Sequence, residues 1–120
     1  MQYVLLIYQG TTPASSGQEA WATVPDDEKA AIGAEYAAIN QVSGITPGLP
    51  LGLPDDATTV RVENGKTLTT DGPFIGAKGA IGGYVVFETD NLDAAIEMAS
   101  RIPAARLGGA IEVRPVGAYW

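Results

Sequence analysis

Two stretches of the chain are apolar without alternation: YVLLIY at 3–8, and the run from Ile81 to Glu88. Runs of that length, closed off by turn residues such as Gln9-Gly10, predict strands buried on both faces. Two other segments carry helical spacing. In PDDEKAAIGAEYAAINQVSG, Ile32, Tyr36, Ile39 and Val42 recur on one face, with Asp26, Asp27 and Glu28 at the positive end of the helix dipole and Pro25 in the first turn. Gly44 suits the position past its end. In DNLDAAIEMASRI, Leu92, Ala95, Ile96, Ala99 and Ile102 line up, Asp90 or Asn91 caps the start, and Pro103 stops it.

The rest is turn-rich, with fifteen Gly and eight Pro. GTTPASSG at 10–17 reads as a loop, and QEAWATV as one helical turn anchored by Trp21. ITPGLPLGLP is too broken for a central strand, and an edge strand is expected around Leu49 to Leu53. TTVRVENGKTLTTDG predicts a hairpin. Asn64-Gly65 favours a type I′ turn, which sets Glu63 opposite Lys66 as an opposite-charge pair. Neither face of the hairpin is strongly apolar, so it is expected to project from the body or to be covered only partly. AIEVRPV, 110–116, is the last strand, with Glu112 and Arg114 on a polar face. The order is strand, helix, hairpin, strand, helix, strand. This is an α+β pattern, and a ferredoxin-like split β-α-β domain with an inserted β-hairpin fits it best. At 120 residues the chain makes one domain, 1–120.

Two helices cover one face of such a sheet, yet both central strands are apolar on both faces. The second face then carries an apolar patch that a soluble monomer rarely exposes. A two-fold homodimer with face-to-face sheets is expected, with the terminal Tyr119 and Trp120 at or near the interface.

Charge narrows the partners. Seven basic against fourteen acidic residues give a net charge of −7. Nucleic acid and anionic membranes need clustered Lys and Arg, so neither is expected. No apolar run reaches the roughly 18 residues of a membrane span. The N-terminus lacks the basic region of a signal peptide, and a cytoplasmic location is expected. With no Cys and no His, disulfides, thiol catalysis and imidazole bases are excluded. No motif asks for a cofactor or a metal. Acid–base chemistry would fall to Asp, Glu, Lys or Tyr.

The stretch TLTTDGPFIGAKG concentrates the candidates. It is not a P-loop: the spacing is wrong and no Ser or Thr follows Lys78. Gly76, Gly79 and Gly82 recur every third position ahead of a strand, where a dinucleotide fingerprint would open a helix. Asp71 is either ordinary turn chemistry, bonding a backbone N–H two residues on, or a base raised by the apolar Phe74 beside it. Lys78 is either solvated or an anion partner. Gly82 and Gly83 mark a bulge or a close backbone approach. Tyr84 belongs to the core or reaches a cavity rim. Arg101 and Arg106 either bond helix C-terminal carbonyls or, for Arg106, orient a ligand. Glu35 is solvated or points at the sheet rim. Phe74 and Ile75 need a cavity wall or another subunit to pack on.

LTTDGPFIGAKGAIGGYVVFETDNLDAAIEMASRIPAARLGGAIEVRPV resembles the YCII-related proteins, in the subgroup named for its Asp-Gly-Pro-Phe motif, here Asp71 to Phe74. YVLLIY, the Trp21 region and the hairpin are similar too, so the resemblance covers nearly the whole chain. It implies a ferredoxin-like domain that assembles into a dimeric α/β barrel. It implies no settled activity. Members of the wider group carry a His and an Asp in a cleft, whereas this chain has no His and places Ser100 and Arg101 where that Asp is sought. Gly79 stands where the subgroup commonly has Glu. Genes of the subgroup often neighbour extracytoplasmic-function sigma factors. The leading expectation is a small-molecule site beside the Asp-Gly-Pro-Phe loop, with Asp71 as the catalytic carboxylate and Lys78, Tyr84, Arg106 and Phe74 as ligand contacts. The alternative is a non-catalytic interaction or regulatory module linked to a sigma-factor system.

Overall fold

The apolar run at the start of the chain forms β1, Gln2–Tyr8, at the heart of a four-stranded antiparallel sheet. The computed structural model describes residues 1–8, 24–52, 56–74 and 81–117. Trp21, the 10–17 loop, Ile75, Lys78, Gly79, Tyr119 and Trp120 lie outside the described residues. The remaining elements are α1, Asp26–Ile39; β2, Ile45–Pro47; β3, Thr58–Glu63; β4, Lys66–Asp71; β5, Ile81–Glu88; α2, Leu92–Ser100; and β6, Ala110–Pro115. The sheet order is β2-β5-β1-β6, while β3 and β4 pair in a sheet of their own. The protein is thus a mixed α+β domain with two helices and an antiparallel sheet, consistent with a ferredoxin-like fold.

Alternation along β1 decides which side is core. Tyr3, Leu5 and Ile7 are buried, and their cross-strand partners Phe87, Val85 and Gly83 are buried with them. Ile39 from α1 and Ala95, Met98 and Ile102 from α2 and its end close this side. Val4, Leu6 and Tyr8 point the other way, beside Val86, Tyr84 and Ile81 of β5. β6 adds Glu112 and Arg114 to that second face, where they pair with each other. Both strands are therefore apolar on both faces, as expected.

Local chemistry explains the element ends. Asn91 caps α2, its side chain accepting from the Ala94 N–H at 2.9 Å. Pro103 stops the helix and opens a short 3-10 turn, Pro103–Ala105. α1 begins without a side-chain cap. Pro25 holds the cap position, and Asp26, Asp27 and Glu28 in the first turn face its orphan N–H groups. Gly44 has φ of 90° and stands four residues past the C-cap Asn40, so it shapes the turn into β2 and does not end the helix.

Four expectations need correction. The edge strand lies at Ile45–Pro47, ahead of Leu49 to Leu53, because Ile45 can drop into the core opposite Phe87. The buried stripe of α2 is Ala95, Met98 and Ala99, leaving Leu92 and Ile96 exposed. Small alanines let the short helix sit close to the sheet, so Met98 fills the space between. Tyr84 is 40% exposed and belongs to the second face, not the core. In the hairpin, Asn64 and Gly65 both have positive φ and Glu63 stands opposite Lys66, as the type I′ turn requires. The carboxylate of Glu63 nevertheless pairs with Arg61 at 3.1 Å. Every residue of β3 and β4 except Thr59 is exposed, so the hairpin does project.

Candidate functional site

Glycines in β5 open a concavity. Ile7 faces Gly83 while Tyr8 faces Ile81, so Gly82 is an extra residue, a bulge in the strand. The chain after β2 follows the edge of β5 there, and the Leu51 N–H donates to the Gly82 carbonyl at 3.0 Å. The backbone approaches most closely at Gly48. A Cβ on that residue would collide with the Tyr84 carbonyl oxygen and lie 2.8 Å from its ring. Gly83, buried and lacking a side chain, leaves room beneath this segment. The last turn of α1 roofs the space with Tyr36 and Asn40.

The result is a cleft of about 250 Å³. Ile7, Leu49, Pro50 and Val85 line it with apolar groups, Tyr36 and Asn40 bring the polar side chains, and Tyr84 borders it from β5. The cleft is mostly apolar with few polar groups, and its volume lies just below the roughly 300–1,000 Å³ usual for small-molecule sites.

The Tyr36 phenol is displaced from its ordinary range. Burial raises its phenol above 10.0, while a backbone hydrogen bond with Ala104 and the charge of Arg106 pull it back. The phenol is neutral at physiological pH and so offers a hydrogen bond without a charge. A folded-state value above the unfolded one stabilises the fold below pH 10.0, and that stabilisation is lost as pH rises through the folded value. Denaturation midpoints should fall between about pH 9 and pH 11 by less in Tyr36→Phe than in wild type. Parallel midpoint curves would refute the assignment.

A second groove, of about 320 Å³, lies across α1 from the end of α2. Glu35, Ala38, Ile39, Arg101 and Arg106 line it. Arg106 Nη2 donates to both carboxylate oxygens of Glu35, each at 2.6 Å. Neither arginine side chain bonds helix C-terminal carbonyls in the way helix-end chemistry favours: Arg106 has found a carboxylate, and the Arg101 side chain has no hydrogen bond or ion pair among the described residues.

The sequence-predicted residues do not converge. Tyr84 lines the cleft and Arg106 lines the second groove. Asp71 lines neither; it ends β4, is exposed, and makes no side-chain hydrogen bond or ion pair with another described residue. The turn after it is held by backbone and Thr59: the Gly72 N–H donates to Ala57 O at 2.7 Å, and Thr59 Oγ1 donates to Gly72 O at 2.7 Å. Phe74 is 72% exposed, with the Arg61 guanidinium 5.8 Å from its ring centre, within cation–π range. Lys78 lies outside the described residues. Sequence reasoning missed Asn40, Gly48 and the cleft role of Tyr36. Gly82-Gly83 was the available signal, since paired glycines in an apolar strand ask what approaches them.

A model of the YCII-related domain matches residues 1–118. The chain belongs to the YCII-related domain family. Both grooves and all described elements fall inside the matched region. An uncharacterized protein of Rhizobium meliloti (strain 1021) is similar, 27% identical over 124 residues, covering 99% of this chain and 94% of that protein. Among the described residues no helix is long and apolar enough to cross a membrane.

Proposed function

We propose that this YCII-related domain binds a small, mostly apolar molecule in the cleft between α1 and β5. The observation that carries the reading is the cleft itself: a space of about 250 Å³ opened by Gly83 and roofed by Tyr36 and Asn40. Its walls favour an aliphatic or aromatic body. Its phenol and amide groups favour one neutral hydrogen-bonding group on the ligand. Placement favours this cleft over the Asp71 loop, because Asp71 is exposed and outside the concavity. Asp71 and Phe74 then serve as the marker of the Asp-Gly-Pro-Phe subgroup, with β3 and β4 as its inserted hairpin. Catalysis by Asp71 would need a ligand that bridges from the hairpin.

The reading includes a homodimer with facing sheets, the α/β barrel arrangement. Its support is the second face of the sheet, where Val4, Leu6, Tyr8, Val86, Tyr84 and Ile81 lie on the side away from the buried core, each partly or fully exposed. A non-catalytic module linked to a sigma-factor system is the rival, and the experiment below separates the two.

A thermal-shift screen with small phenols, amines and carboxylates should yield a hit that loses affinity in Gly83→Ala. A Cβ there would meet Leu49 O at 3.6 Å and Ile7 Cδ1 at 3.9 Å, ordinary contacts, so the variant should fold normally. Its methyl group would still occupy the cleft and weaken binding by about tenfold, the effect of one misplaced methyl in an apolar pocket. Hits indifferent to Gly83→Ala, or no hits with specific capture of a sigma factor, would favour the rival.

A further inference from the structure

We infer that the groove between α1 and the end of α2 is a second binding site, for a small monocarboxylate held by Arg101 and Arg106. It is separate from the cleft and stands independently of the function proposed for it.

The groove brings two arginines to one surface of a protein whose net charge is −7. Glu35 compensates one of them and leaves one positive charge over. The carboxylates nearest in sequence do not supply the balance. Glu97, one helical turn before Arg101, forms no ion pair with it, although four residues is the favourable spacing. Arg106 meets Glu35 through Nη2, so no described acid occupies its Nε or Nη1. Among the described residues nothing occupies the Arg101 fork, on an exposed residue at the end of α2.

A guanidinium fork matches the two oxygens of a carboxylate. Charge arithmetic selects the class. A monocarboxylate cancels the single excess charge, whereas a dianionic phosphate would leave the groove negative. Ala38 and Ile39 on the α1 side give the acid's alkyl end an apolar wall.

The test uses the full chain with nitrogen-labelled arginine and follows the side-chain Nε resonances by NMR. Propionate and inorganic phosphate are added at constant ionic strength, with chloride as the balancing salt. Propionate should give saturable shifts at Arg101 and Arg106 and bind more tightly than phosphate. Arg101→Ala should weaken propionate about tenfold or more, the loss of a charge-assisted pair. Arg101→Lys keeps the charge without the fork and should fall in between. Glu35→Gln frees the second positive charge, so phosphate should overtake propionate. The proposal is overturned if the shifts do not saturate, if chloride alone reproduces them, or if Arg101→Ala binds propionate as wild type does. It is equally overturned if Glu35→Gln leaves the order of the two anions unchanged.

Discussion

Gly48→Ala should destabilise the fold by about 3 kcal/mol, the upper range for forcing an extra carbon into a packed site. The obstacle is the main chain. A Cβ at position 48 would run into the Tyr84 carbonyl oxygen, and the Tyr84 ring is 2.8 Å away on the same side. A side chain can change rotamer, but a carbonyl in the middle of β5 cannot move without breaking the pairing with β1. The segment after β2 must therefore lift away, taking Leu49 and Pro50 from the cleft. Urea denaturation should show the lower midpoint, and ligand affinity should fall with it. Gly52→Ala is the control, since its nearest neighbour would be Asp56 at 3.8 Å. Equal stability of Gly48→Ala and Gly52→Ala would refute the close approach.

The second large effect concerns assembly. Wild type should scatter light as a particle of about twice the 12.4 kDa chain mass, and Leu6→Lys should scatter as a single chain. Leu6 lies on the second face of the central strand, between Tyr84 and Glu112. A lysine there is acceptable in an isolated chain, because Glu112 is its cross-strand neighbour and water is at hand. In a face-to-face dimer the same ammonium would be desolvated at the centre of the interface, which costs several kcal/mol. Burial of roughly 800 Å² per partner is typical of stable pairs. If Leu6→Lys remains a dimer, or wild type is a monomer, the facing-sheet arrangement is wrong.

Much of the architecture could be read from local pattern. β1 and β5 are unbroken apolar runs, Asn64-Gly65 admits one tight turn, and Asn91 is a strong cap. Each depends on residues within a few positions of one another. The parts that escaped depend on distant ones. Glu35 and Arg106 are 71 residues apart, and nothing near either sequence position announces the other. Leu92 and Ile96 match the helical period of α2 as well as Ala95 and Ala99 do; the sheet's demand for close approach chose the alanines. β2 could not be placed by composition, because Ile45 is drawn in by Phe87, far along the chain. The cleft was hardest to foresee, since it is made by what Gly83 lacks. Asp71 drew attention through its motif, yet the pattern of letters held no information about how far the hairpin stands from the body.

The central place of β1 has a consequence for how the protein is made. Its hydrogen-bonding partners are β5 and β6, which begin at Ile81 and Ala110. A ribosome adding about 5–20 residues per second delivers β6 on the order of 10 s after β1. Throughout that interval YVLLIY has no native neighbour on one edge, and for most of it on neither. The earliest strand to emerge is thus the last to be closed on both sides. Pairings this remote make for slow folding, since loop entropy must be overcome before contacts repay it. The sequence that anchors the finished sheet is, in the nascent chain, the segment most in need of a chaperone.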